Sequence, residues 1–190
     1  MDAKQILQRY QAGEREFSRV RLSGASLRQA DLQGADLSGA DLSEGDLTSA
    51  NLDETDLRWA NLRGANLKRA TLIGAKLEGA NLRQANLGQT ILHRATLVGA
   101  SLDASNLSKA DLEKASLWGA NLEGAKLNKA ILRGANLERA ALWEADLEEA
   151  DLNGACLRGA YLEGAAVSAE QLAQAETIEG AILPDGTLHR

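Results

Sequence analysis

'GADLSGADLSEGDL' (residues 34–47) places a leucine at every fifth position, Leu37, Leu42 and Leu47, each two residues after a small one. The spacing continues outward in both directions without a miss, from Leu22 to Leu162, 29 leucines in succession. The site two before each leucine is alanine from position 25 to 160, apart from Gly45, Thr55, Thr90 and Ser105. Neither regular element tolerates this clock. In an α-helix five residues advance about 500°, so successive leucines would lie about 140° apart and scatter around the axis. In a flat strand side chains alternate faces, and an odd interval sends successive leucines to opposite sides.

All the leucines share one interior only if the chain turns a corner once per repeat, with Leu and the small residue facing in. The neighbours of each leucine then face water, and 'ANLRGANLKRA' (60–70) places Asn, Arg and Lys there. The remaining site, two after Leu, is the corner. It is Gly in 13 of the 29 repeats, as suits a positive φ. Elsewhere it is mostly Arg, Lys, Glu or Gln, with Trp59 once, so the sequence leaves room for more than one turn type. Such short-period self-similarity marks a solenoid, in which each coil buries its inner side only against the next.

The run resembles the pentapeptide repeat family, whose usual unit is A(D/N)LXX. Its 'ADLSGADL' style (35–42) is most similar to cyanobacterial members. The resemblance covers roughly residues 16–167. It implies an all-β solenoid, a right-handed quadrilateral β-helix with four repeats, hence four faces, per coil. Residues 20 apart would then stack about 4.8 Å from one another.

The expected organisation is a helical cap over 1–15, one β-helix domain of about seven and a half coils over 16–167, and a helical and turn cap over 168–190. Caps are required because an open coil presents leucines and unpaired edge groups. 'DAKQILQRYQAG' (2–13) has Ile6, Leu7 and Tyr10 at helical spacing, then Gly13 as a stop. 'YQAGEREF' (10–17) is similar to the family's usual entry, with Phe17 already on the five-residue register. Ser168 with Gln171 three later makes a capping-box pattern, 'LPDG' (183–186) signals a turn, and the register slips near Thr177.

A tube filled with Leu and Ala at crystal-like density leaves no room for a ligand or cofactor, so none is expected and function falls to the outer surface or the ends. No apolar run approaches the ~18 residues of a transmembrane span. The polar start 'MDAKQILQRYQAGEREF' lacks the apolar stretch of a secretory signal. Lone Cys156 suits a reducing compartment and is expected at the surface, which points to the cytoplasm. Catalysis is not expected. His93 and His189 are the only histidines, and the carboxylates lie on a convex, watery surface that gives no acid–base site. No catalytic, cofactor-binding or metal-binding residue is assigned.

The net charge of −6 is distributed in bands. Gln29 to Leu57 holds eight acids and no Lys or Arg, and Arg58 to Arg94 holds seven bases against Glu78 alone. Residues 138–151 return to acid. Asp31, Asp36, Asp41 and Asp46 fall one per face as an acidic ring, too divergent for a metal cage, and Asp56 stacks on Asp36. Arg58, Arg63, Lys68, Arg69 and Arg83 form the core of a basic belt. A partner with matching bands would bind in a salt-sensitive way. Asn66, Asn86 and Asn106, and Asn61 with Asn81, are expected to form amide ladders.

Apolar side chains interrupt the polar coat in four places. Val98 lies under Trp118 in one column; Ile73 and Ile91 are diagonal neighbours on an adjoining face, beside His93. Trp143 and Tyr161 are diagonal neighbours over Ala141, and Trp59 stands at a corner. Aromatics set in a polar coat are enriched at interface hot spots.

These features favour a non-enzymatic protein–protein interaction or scaffold rod with an unidentified protein partner. No small-molecule substrate or membrane contact is expected, and a monomer and an end-to-end dimer both remain open. Nucleic acid is disfavoured as a partner, because acidic bands flank the basic belt and only Trp59 offers stacking nearby. The alternative comes from the resemblance: some members mimic B-DNA and inhibit or protect DNA gyrase, giving quinolone resistance. A rod of ~36 Å corresponds to duplex carrying roughly 21 phosphates. A net charge of −6 falls well short of that. The chain also departs from those members in having no Phe at central sites beyond Phe17 and no loop interrupting the array. A purely structural spacer is a third reading.

Overall fold

The computed structural model describes residues 1–190. From Glu16 to Ala166 the chain repeats one five-residue path, and parallel bridges join residues 20 apart, from Glu16 with Asp36 to Asp146 with Ala166. The bridges form four columns and so define four faces. The first face carries Asp41, Asn61, Asn81, Ser101, Asn121, Ala141 and Tyr161. The second carries Asp46 to Ala166, the third Asp31 to Asp151, and the fourth Asp36 to Cys156. Only 5 of the 136 backbone hydrogen bonds lie inside helices, so the ladder that holds the molecule together runs from coil to coil and across corners.

The backbone accounting of one repeat explains the sequence. Leu37 N–H donates to Asp56 O at 2.8 Å and Gly39 N–H to Arg58 O at 2.8 Å, both on the next coil. Asp36 N–H donates back to Arg15 O at 2.8 Å, and Ala40 N–H closes the corner onto Leu37 O at 3.0 Å. One amide per repeat is left over, that of Ser38, and Asp36 Oδ1 accepts it at 2.8 Å. A short Asp or Asn side chain two residues upstream is the natural acceptor, which is why those residues precede so many of the leucines. Where Thr71 stands instead, Ile73 N–H finds Asp53 Oδ1 on the preceding coil at 2.8 Å.

The corners differ from expectation. A single conformation serves all of them: every residue two after Leu, from Gly24 to Gly164, has φ between 54° and 71°, whether it is Gly or not. Two bonds to the next coil and the turn bond leave the corner no alternative, so residues such as Trp59 (φ 60) and Lys109 (φ 60) accept the left-handed cost of roughly 1–2 kcal/mol.

The interior is as the periodicity requires. None of the leucines from Leu22 to Leu162 is more than 3% exposed, and the alanines two before them line the same core. Thr55 and Thr90 take alanine sites by donating their hydroxyls to Leu52 O at 2.6 Å and Leu87 O at 2.8 Å. Ser105 Oγ, equally buried, has no partner.

Helix α1, Ala3–Gln11, covers the first coil. It is capped by an Asp2–Gln5 capping box, buries Ile6, and is tied down by Tyr10 Oη donating to Gln33 O at 2.8 Å. Helix α2, Ala169–Leu172, starts at the Ser168–Gln171 capping box, and Gln171 Nε2 donates to Leu147 O and Ala150 O, both at 2.8 Å. The next bridges, Cys156 with Thr177 and Tyr161 with Ile182, are one residue out of register, and the chain then doubles back to pair Ile182 antiparallel with Leu188. No helix is long and apolar enough to cross a membrane.

Candidate interaction faces

With the interior filled, the chemistry available to other molecules lies on the four faces. The side chain just after each Leu lies on the face of the bridge residue two before it. Thus Arg133 Nε reaches Asp151 Oδ2 at 2.5 Å on the third face, and Arg28 Nη1 reaches Asp46 Oδ2 at 2.9 Å on the second. Trp143 meets Tyr161 on the first face by the same rule, with ring centroids 5.0 Å apart and planes tilted 31°. These rings are 36% and 41% exposed. The apolar column below them continues from Ala141 through Tyr161 and Ile182 to exposed Leu188.

Of the other apolar groups, Trp118 and half-buried Val98 lie on the fourth face. Ile73 and Ile91 are exposed on the third, beside His93. His93 Nε2 sits 2.6 Å from Asp111 Oδ2, but off the line needed for a hydrogen bond. That neighbour was legible only once residues 20 apart were known to stack. Trp59 is the most exposed large apolar residue, at 73%, and its ring lies against the Gly79 corner of the next coil. Cys156, expected at the surface, is half-buried at a bridge site of the fourth face, as is its column neighbour Asn136.

Asp31, Asp36, Asp41 and Asp46 stand one per face, each accepting the amide two residues on. The Ser43 hydroxyl holds the Asp41 carboxyl below its ordinary range, and the Thr48 hydroxyl does the same for Asp46. Asp56, stacked on Asp36, is lowered chiefly by the Arg58 guanidinium, whose Nη2 lies 2.5 Å from Asp56 Oδ2. Arg58 therefore relieves the like-charge stacking. In the belt, Arg83 Nε pairs with Asp103 at 3.0 Å. Arg63 and Arg69 donate only to neutral Gln84 and Gln89, and Lys68 has no ion-pair partner. The amide ladders run Asn81 to Asn61 at 3.2 Å, and Asn106 to Asn86 to Asn66 at 3.4 and 3.1 Å.

The sequence pattern of the family described as pentapeptide repeats matches in 8 copies, over residues 16–53, 50–89, 90–128, 105–143 and 130–165. The chain belongs to the pentapeptide repeat family. Among solved structures, this pentapeptide repeat protein is similar to HetL of the cyanobacterium Nostoc sp. strain PCC 7120, described as involved in heterocyst differentiation regulation. The identity is 33% over 100% of both chains, with a TM-score of 0.40. Rfr23 of the cyanobacterium Cyanothece 51142 is 43% identical over 47% of this chain and 61% of its own, with a TM-score of 0.46. QnrB1, a plasmid-mediated fluoroquinolone resistance protein, is 17% identical over 90% of this chain and 87% of its own, with a TM-score of 0.63, which is a likeness of fold alone. No curated protein is similar enough to match.

Proposed function

We propose that this pentapeptide repeat protein is a non-enzymatic binding rod of the cytoplasm that recognises a protein partner from its outer surface, and that its coil is right-handed, as the family implies. The reading is supported above all by the Trp143–Tyr161 pair, two exposed rings in mutual contact at the apolar end of a face that is polar from Asp41 to Asn121. Rigid, partly solvated aromatics of this kind lose little freedom on binding and dominate interface energetics. The unpaired cations Arg63 and Lys68 supply the steering charge.

The test is a pull-down with the purified protein at low and moderate salt, repeated with Trp143→Ala and Tyr161→Ala. Partners lost in both variants and weakened by salt support the reading; identical partners in all three proteins remove the first face from it. Gyrase-directed DNA mimicry is the weaker reading, since the basic belt interrupts the acidic surface that a duplex mimic needs. A supercoiling assay in which near-equimolar protein inhibits gyrase would reverse that order.

A further inference from the structure

The first face is complementary to its own reverse. One edge of it, formed by the residues just after Leu, runs Arg63, Arg83, Asp103, Glu123, Trp143 on successive coils. The corner along the opposite edge runs Trp59, Gly79, Gly99, Gly119, Arg139. Between the edges the bridge column is short-chained, from Asn61 through Ser101 to Ala141. Rotating a second copy by a half turn about an axis across the rod at Ser101 reverses the order of coils and keeps each edge against itself. Arg83 then faces the second copy's Glu123, Arg63 faces its Trp143, and Trp59 faces its Arg139.

We propose that two copies of this chain pair side by side and antiparallel through the first face, with the two-fold axis at the level of Ser101 and Asp103. The proposal rests on the reading that this face binds a protein, and names a second copy as that protein. It accounts for features that the single chain leaves open. Trp59 is 73% exposed, with its ring against the Gly79 corner. Arg63 and Glu123 belong to no ion pair within the chain, and neither does Arg139. Guanidinium over an indole face is the favoured cation–π geometry, and the pairing makes four such contacts and two Arg83–Glu123 ion pairs. The two Asp103 side chains that meet near the axis each carry their own Arg83, at 3.0 Å.

The charges on this face select the antiparallel arrangement, which sets Arg83 against the second copy's Glu123. A parallel pair, whose two-fold runs along the rod, sets the Arg63–Trp143 edge against the glycine-rich corner edge and makes no such ion pair. The matched coils span only ~19 Å of a face one repeat wide. That buries less than the ~800 Å² per partner of a standard interface, so the dimer is weak, reversible and salt-sensitive.

Sedimentation equilibrium of the purified full chain, from about 10 to 500 μM at low and moderate salt, tests the pairing. The expected result is a reversible dimer. Arg83→Glu or Glu123→Arg alone raises its dissociation constant about tenfold or more, and the double variant restores it. Trp59→Ala and Arg139→Ala each weaken it, and together weaken it no further than either does. Thermal melts confirm that each variant folds. A monomer at every concentration overturns the proposal, and so does a dimer indifferent to the charge reversals, which would be an end-to-end contact. Either result leaves the pull-down with foreign partners to stand or fall by itself.

Discussion

The indole of Trp59 occupies the space that a side chain at Gly79 would need: a Cβ built on that glycine comes within 2.2 Å of the ring. The same relation recurs down the corners, with Glu44 over Gly64 and Glu144 over Gly164. At these corners a left-handed residue with a side chain leans over the glycine of the following coil.

Gly79→Ala should therefore cost more than the same change at Gly124, which has a similar φ, 61 against 65, and open space around its Cβ. Gly124→Ala should lose about 1 kcal/mol from the left-handed penalty alone. Gly79→Ala should lose that and also expel the indole. Urea unfolding measures the difference, and tryptophan fluorescence in a Trp118→Phe, Trp143→Phe background reports the movement of Trp59. Equal costs with unchanged emission would contradict the stacking.

Ser105→Ala should stabilise the protein by about 1 kcal/mol, because it removes a buried hydroxyl with no partner and restores the residue that most other coils use. Thr55→Ala should gain less or nothing, since its hydroxyl is bonded to Leu52 O at 2.6 Å. Paired denaturation curves settle the order.

Asn86→Ala should cost roughly 1–3 kcal/mol. The amide of Asn86 accepts from Gly88 N–H at 3.1 Å and forms the middle rung between Asn66 and Asn106. Asn86→Asp should retain the first bond and lose the donor to Asn66, giving an intermediate stability by urea titration.

Acid should destabilise the N-terminal half through Asp41, Asp46 and Asp56. Their folded carboxyls are lowered by Ser43, Thr48 and Arg58 respectively. A depressed folded value means the unfolded chain binds protons first, so the stabilisation is complete above the ordinary carboxylate range. It is lost as pH falls from about 5 through the folded values. The triple variant Asp41→Asn, Asp46→Asn, Asp56→Asn keeps the amide acceptors and should show a shallower fall in Tm between about pH 5 and 3. An unchanged slope would contradict the assignment.

The burial of Leu22 to Leu162 was legible in the sequence because a five-residue clock admits only one inward solution. Trp143 and Tyr161 could be placed together only with the 20-residue coil that the family resemblance implies, on which they are diagonal neighbours. The corners were not legible. Gly and Arg at equivalent sites suggest different turns, and only the hydrogen bonds from residues 37, 39 and 40 show that one conformation is imposed on all. The His93–Asp111 approach has the same diagonal offset as Trp143–Tyr161 and was legible in the same way, though it was not drawn from the sequence. The half-burial of Cys156 was out of reach, because it depends on how the neighbouring side chains lie on adjacent coils.

The most direct test of the leucine-filled interior is thiol labelling in a Cys156→Ser background, comparing Leu92→Cys with Lys109→Cys. The account predicts that a thiol at 92 reacts only as fast as the protein unfolds, while one at 109 reacts at the rate of a free thiol. A thiol at 92 that reacts as fast as the one at 109 under native conditions would contradict it.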